Sequence, residues 1–118
     1  MDKVALITGG RSGIGLACAQ KLSQSGYEVV TAQRTPADTF HSIEADFSDP
    51  DTPEQVIQQV INNHGRLDAL VNNAGIMLED TVESMSLADW NRTLNINLTA
   101  PFLLINTPYL TYRAKALS

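Results

Sequence analysis

Cysteine is nearly absent from this chain: Cys18 is the only one. One thiol closes no internal disulfide and builds no metal cluster. That excludes a disulfide scaffold and fits a reducing cytoplasm. Long apolar runs are missing too. None approaches the ~20 residues that span a bilayer, so no membrane partner is expected. The first apolar stretch covers only residues 4–7, too short for the core of a signal peptide. Positive charge is in deficit, with 8 Lys and Arg against 13 Asp and Glu and a net charge of -5. Such a surface repels phosphate backbones, which argues against a nucleic-acid partner. Internal repeats and low-complexity tracts do not occur. Asn91-Arg92-Thr93 and Asn97-Leu98-Thr99 spell glycosylation sequons, but without a secretion signal the spelling carries no weight. His41 and His64 have no partner at metal-ligand spacing, so no metal site is expected.

Apolar residues are present in quantity, at 43% of 118 positions. That fills the core of one domain over residues 1–118. Strand and helix patterns alternate along it. Residues 4–7 form an unbroken apolar run, as in a strand buried on both faces. A glycine-rich turn leads to a helix over 14–25, with Ile14, Ala17, Cys18 and Leu22 on one face and Gly26 closing it. Residues 28–32 read as a second strand. A polar connection with Pro36 follows, then a weak third strand over 42–45. Thr52-Pro53-Glu54-Gln55 reads as a helix start, with Thr52 as cap and Pro53 in the first turn. Val56, Ile57, Val60 and Ile61 give that helix its buried face, and Gly65 ends it. Residues 67–71 make a fourth strand. Ser86-Leu87-Ala88-Asp89 reads as a capping box opening a helix that carries Trp90, Leu94 and Leu98, with Trp90 as a packing anchor. Pro101 interrupts this helix, and residues 102–105 continue the apolar pattern. Cys18 reads as core, and Met77 and Met85 as gap fillers beside a loop. Alternating elements imply a doubly wound, parallel α/β sheet of Rossmann type. Four strands are visible where this fold carries more, so the C-terminal half of the fold is incomplete.

Thr8-Gly9-Gly10-Arg11-Ser12-Gly13-Ile14-Gly15 carries the most chemistry. It follows a buried strand and opens a helix. Its glycines allow a tight turn, a close backbone approach to a pyrophosphate and close helix–strand packing. The unpaired N–H groups at the helix start, with the positive end of its dipole, then face the phosphates.

The spacing is TGxxxGxG, and here the sequence resembles the short-chain dehydrogenase/reductases. Asn72-Asn73-Ala74-Gly75 resembles their NNAG motif after the fourth strand. Asp46-Phe47 resembles their acidic adenine-contacting position. Asn97, within Asn95-Ile96-Asn97-Leu98-Thr99, resembles their catalytic-helix asparagine. The likeness implies cofactor contacts from Thr8, Gly9, Arg11, Ser12, Gly13, Ile14, Gly15, Asp46, Phe47, Asn73, Ala74 and Gly75. At the end of the second strand, a carboxylate would hold ribose hydroxyls and repel a phosphate. This chain has Gln33 and Arg34 there, and Arg34 can fork onto a 2′-phosphate. NADP(H) is therefore favoured, with NAD(H) the alternative.

In the family, a tyrosine transfers the proton, a lysine four residues later lowers its pKa, and a serine on a fifth strand orients the substrate oxygen. A phenol near pKa ~10 is a poor base at neutral pH, so the cation is needed. The chain's end, residues 106–118, resembles a displaced piece of that active-site helix, with Tyr112 and Lys115 as catalytic candidates beside Asn97. It departs from the pattern. Tyr112 and Lys115 are three apart, whereas Tyr109 and Arg113 have the spacing but the wrong cation. The interval between Asn97 and Tyr112 has no room for a fifth strand and its serine. Pro101 lacks the N–H that would bond the Asn97 carbonyl, which frees that carbonyl for the water relay to lysine that the resemblance implies. The expected activity is NADP-preferring reduction of a carbonyl or oxidation of an alcohol, on a small-molecule substrate, by a cytoplasmic dimer or tetramer. A non-catalytic dinucleotide-binding module lacking the serine is the alternative.

Overall fold

The structure is a computed structural model describing residues 2–76, 81 and 83–107, together with the backbone of 116 and 117. The elements are β1 (Val4–Thr8), α1 (Gly13–Gln24), β2 (Glu28–Gln33), β3 (His41–Glu44), α2 (Thr52–His64), β4 (Ala69–Asn72), α3 (Leu87–Leu94), α4 (Ala100–Ile105) and β5 (Ala116–Leu117). A π turn over Asn95–Thr99 joins α3 to α4. The strands form one sheet in the order β3-β2-β1-β4-β5, every neighbouring pair parallel. The chain winds outward from β1 to β3, then crosses back to β4, so the winding reverses between β1 and β4. Clefts of doubly wound sheets open at such a point. The fifth strand was not visible in the sequence. Its residues end the stretch that resembles a helix, yet they pair with Leu70 and Val71. The unshared N–H and C=O groups along β4 accept even two residues as a partner.

Strand side chains alternate between two cores. Val4, Leu6, Val30, Ala32 and Leu70 meet Val56, Ile57 and Val60 of α2, with Ala100 and Leu104 of α4. Ile7 and Val29 meet Ala19 and Leu22 of α1 on the other face. Covering both faces is what makes β1 uniformly apolar. Each such Leu or Val removed from water contributes roughly 1.5–3 kcal/mol. No helix separates β2 from β3, as the Pro36 stretch predicts. Ser42 Oγ instead accepts from the Ala37 N–H (2.9 Å) and Gln33 Nε2 (2.8 Å), folding that connection onto β3.

Four expectations need correction. The inner face of α1 is carried by Gly15, Ala19 and Leu22, not by Ile14 and Ala17, and Ile14 is 76% exposed. Close packing of Gly15 on the loop sets that rotation. The cap of α2 is Asp51, and Thr52 is already helical. Pro101 does not break the helix: the π turn absorbs it, with the Ala100 N–H reaching the Asn95 carbonyl. Trp90 is 53% exposed and packs into neither core, and Leu98 and Phe102 are exposed as well. The inner face carries Ile96, Ala100 and Leu104 instead. This segment is apolar on two faces, so periodicity alone chose the wrong one. The capping box is borne out in half: Ser86 Oγ accepts from the Asp89 N–H at 3.1 Å.

Charged groups lock the sheet edge remote from the cleft. Glu28 Oε1 meets both His41 Nε2 (3.2 Å) and His64 Nδ1 (3.0 Å), joining β2, β3 and α2. Asp68 accepts the first strand's Val4 N–H at 2.8 Å and a bidentate Arg66 fork at 2.6 Å twice. The Arg66 fork holds the Asp68 carboxyl below its ordinary range, with the Val4 N–H adding to it against the opposing effect of burial. The folded chain therefore binds fewer protons here than the unfolded chain. This contribution is complete above the unfolded pKa of about 4 and is lost as pH falls through the folded value. Asp68→Asn should cost about 1 kcal/mol at neutral pH, and the gap to wild type should close below about pH 4. Urea denaturation at stepped pH checks this, and a gap independent of pH would count against it.

Candidate functional site

The cleft is organised by one hydroxyl. Thr8 ends β1 and is buried. Its Oγ1 accepts the N–H groups of Asn73 and Ala74, both at 3.0 Å, which fastens the end of β4 to the end of β1. Asn73 Nδ2 in turn donates to the Gly9 carbonyl at 3.0 Å, and the Gly9 N–H donates to the Ala32 carbonyl at 2.9 Å. Three parallel strands thus end at one fixed point. Gly9 (φ +69°) and Gly13 (φ +58°) lie in the left-handed region and turn the chain from strand to helix. A Cβ on Gly15 would stand 2.1 Å from the Gly9 carbonyl oxygen and 2.5 Å from Asn73 Nδ2, so only glycine lets α1 approach this closely.

The N-terminus of α1 is left open. The first intrahelical bond runs from the Leu16 N–H to the Ser12 carbonyl. The N–H groups of Gly13, Ile14 and Gly15 precede it, and Ser12 makes no side-chain cap. Three aligned donors and a helix dipole face outward there.

Beside this terminus lies a cleft of about 330 Å³. Of the residues expected to hold a cofactor, Gly9, Ser12, Arg34, Asp46, Phe47, Asn73, Ala74 and Gly75 line it. Thr8 and Gly15 lie behind it as supports. Gly13 forms the turn, while Arg11 and Ile14 are exposed and outside its lining. Gln33, read with Arg34 at the end of the second strand, also lines it; Ala45, Ile76, Arg92 and Ile96 line it and were missed. Arg92 and Ile96 are four apart on α3 and the π turn, so one face presents both. That signal became usable only once the buried face of this helix was known. Ser48 donates to Asp46 Oδ1 through its hydroxyl (2.7 Å) and N–H (3.0 Å). These bonds hold the Asp46 carboxyl below its ordinary range, and the charges of Arg34 and Arg92 add to the effect.

Asn97 is brought to the cleft's rim, but its side chain is engaged. Its Oδ1 accepts from the Ile76 N–H (2.8 Å) and its Nδ2 donates to the Ile76 carbonyl (2.7 Å). It thereby clamps the chain just past Gly75. In an α-helix its carbonyl would take the N–H of residue 101, which proline lacks. Tyr109, Tyr112, Arg113, Lys115 and Met77 lie outside the described residues.

The sequence profile described as short chain dehydrogenase matches residues 3–115. The chain belongs to the short-chain dehydrogenase/reductase family. A short chain dehydrogenase of Emericella nidulans is 36% identical over 96% of this chain and 63% of its own. A metagenomic short-chain oxidoreductase solved with NADP superposes with a TM-score of 0.80 at 33% identity, covering 87% of this chain and 52% of that one. A 3-ketoacyl-(acyl-carrier-protein) reductase of Brucella melitensis, solved with NADH, gives 0.80 at 28% identity over 91% and 50%. This family member spans about half the length of the curated relatives it matches.

Two glycines separate the constraints on the loop. Gly15→Ala sets a methyl against backbone and should cost about 3 kcal/mol or more. Gly13→Ala meets nothing within 4 Å and carries only the left-handed backbone cost of about 1–2 kcal/mol. Chemical denaturation of both variants checks the ordering, and equal losses would mean that the close approach is not the constraint.

Proposed function

We propose that the chain forms the single dinucleotide-binding domain of an oxidoreductase that interconverts a carbonyl and an alcohol with NADP(H). The observation that carries this reading is the open N-terminus of α1, with three N–H groups that have no partner among the described residues, beside a cleft lined by Arg34 and bearing no carboxylate at the end of β2. The fit rests on these donors and on the Gly15 approach, which holds the start of α1 close against the Gly9 turn.

Gly13, Ile14 and Gly15 would hold the diphosphate through backbone N–H groups, with Ser12 beside them. Asp46 and Phe47 would border the adenine, and Arg34 the 2′-phosphate. Asn73, Ala74 and Gly75 would form the floor that leads toward the reacting centre. A bound nicotinamide supplies or accepts the hydride. Tyr112 would give or take the proton at the substrate oxygen, with Lys115 favouring the phenolate and Asn97 holding the rim in place. The substrate is a small carbonyl or alcohol. A homo-oligomer in the cytoplasm completes this reading. Among the described residues no helix is long and apolar enough to cross a membrane.

One observation favours the second reading, a dinucleotide binder without catalysis. Ala116–Leu117 is strand, directly after Lys115, where an active-site helix would continue. The two readings part on Tyr112→Phe. In the enzyme it should lower kcat about 10²-fold or more and leave NADPH affinity unchanged. A wild-type chain that binds NADPH but turns over no carbonyl substrate supports the binder.

Cofactor choice has its own measurement. Wild type should bind NADPH more tightly than NADH, and Arg34→Ala should weaken NADPH about tenfold while sparing NADH. Fluorescence titration reads both, and equal wild-type affinities would defeat the assignment.

A further inference from the structure

The stretch between β3 and α2 brings Asp46 and Phe47 to the cleft, and its own hydrogen bonds are local. Ser48 grips Asp46 Oδ1 through its hydroxyl and N–H, the Asp49 N–H reaches the Asp46 carbonyl (3.2 Å), and the Asp51 N–H reaches Asp49 Oδ1 (2.9 Å). Such turns fix the shape of the stretch, not its distance from the wall made by Arg92 and Ile96. A bond from outside does that. Asn95, at the junction of α3 and the π turn, donates from Nδ2 to the Ser48 carbonyl at 3.0 Å, across 47 positions of sequence. The pair is partly buried. Phe47 and Ile96, the sequence neighbours of Ser48 and Asn95, belong to one core and both line the cleft, so this bond backs the wall without facing the cleft itself. The π turn thus carries two clamps. Asn97, two residues on, holds both backbone groups of Ile76, while Asn95 holds Ser48 and lends its carbonyl to the Ala100 N–H that closes the turn.

We propose that Asn95 is a positioning residue for the dinucleotide: by holding the Ser48 carbonyl it sets how far Asp46 and Phe47 stand from Arg92 and Ile96, and with that the width of the cleft at its adenine end. The inference rests on the dinucleotide reading above and is independent of the choice between NADP(H) and NAD(H). Asn95 touches no cofactor atom in this arrangement. It acts through Ser48, whose hydroxyl and N–H orient the Asp46 carboxyl. Without the amide, the Ser48 carbonyl turns to water and the stretch moves outward. Part of the binding energy then goes to drawing it back. The adenine half of the ligand loses affinity, and the nicotinamide half does not.

The test is fluorescence titration of the full chain with NADPH, NADH and reduced nicotinamide mononucleotide, which has no adenine. The variants are Asn95→Leu, Asn95→Ala and Asn95→Gln, with circular dichroism to compare folding. Asn95→Leu keeps the size and removes the donor. Asn95→Ala, the better helix former, is read in its place should the leucine variant fold poorly. Either should weaken NADPH and NADH alike by about fivefold, the net effect of one hydrogen bond, and leave the mononucleotide within about twofold. Asn95→Gln retains the amide and should recover part of the loss. In an Asp46→Ala background, Asn95→Leu should weaken the dinucleotides less than it does alone, because the group it positions is gone. Unchanged dinucleotide affinity in the folded variant would overturn the inference. So would equal weakening of the mononucleotide, which marks a general loosening, or the full loss persisting in Asp46→Ala. In each of these cases, wild-type binding of NADPH or NADH leaves the dinucleotide reading standing. A wild-type chain that binds neither removes that reading, and this inference with it.

Discussion

The buried hydroxyl of Thr8 is the point on which this structure turns. It takes two N–H groups from the chain leaving β4, and it does so at the end of β1. Asn73 and Ala74 lie past the last β1–β4 pair, and the hydroxyl gives their N–H groups the partner that the ladder no longer supplies. The bond from Asn73 to the Gly9 carbonyl then fixes the strand-to-helix turn. The packing of Gly15 on that same carbonyl fixes α1. Sheet, turn and helix share one small set of atoms, and the cleft inherits its shape from them.

The topology explains why a cleft opens here at all. Helices from β1 and from β4 leave toward opposite faces because the winding reverses between these strands. A gap follows at their carboxyl ends. On one side it is lined by Gly9 and Ser12 of the turn that opens α1, and on the other by Arg92 and Ile96. Asn97 ties that second wall to the floor through both polar atoms of its side chain. The π turn that carries Asn97 sits where Pro101 removes an N–H. In the i→i+5 register of this turn the missing donor falls to the Ile96 carbonyl, whereas in a regular α-helix it would fall to that of Asn97. The proline and the clamp are thus two parts of a single local arrangement.

Much of this was legible in the residues. An unbroken apolar β1, glycines at set intervals and Asn72-Asn73-Ala74-Gly75 located the fold and most of the cleft. What stayed hidden has physical causes. Helical periodicity reports that a face is apolar, not which neighbour it meets. The segment from Leu87 to Ile105 is apolar on two sides, so its inner face, and Arg92 with it, went unseen. The rotation of α1 was misjudged by one position because a glycine contact, invisible to hydrophobicity, sets it. The cap of α2 was misplaced by one residue because Asp51 and Thr52 are adjacent and both belong to the cap-forming types. The Glu28 bridge to two histidines joins residues far apart in sequence, and no spacing rule reaches it. Ala116–Leu117 has strand geometry only because β4 offers an edge, a purely tertiary effect.

The outward face of α3, the π turn and α4 bears on how the protein is handled at the bench. Leu87, Trp90, Leu98 and Phe102 form an apolar ridge that meets water while the core is intact. Environment-sensitive dyes bind such ridges without any unfolding. A dye-based melt would therefore begin bright and understate the transition. Amide circular dichroism, which follows the parallel sheet and α2, reports loss of the core directly.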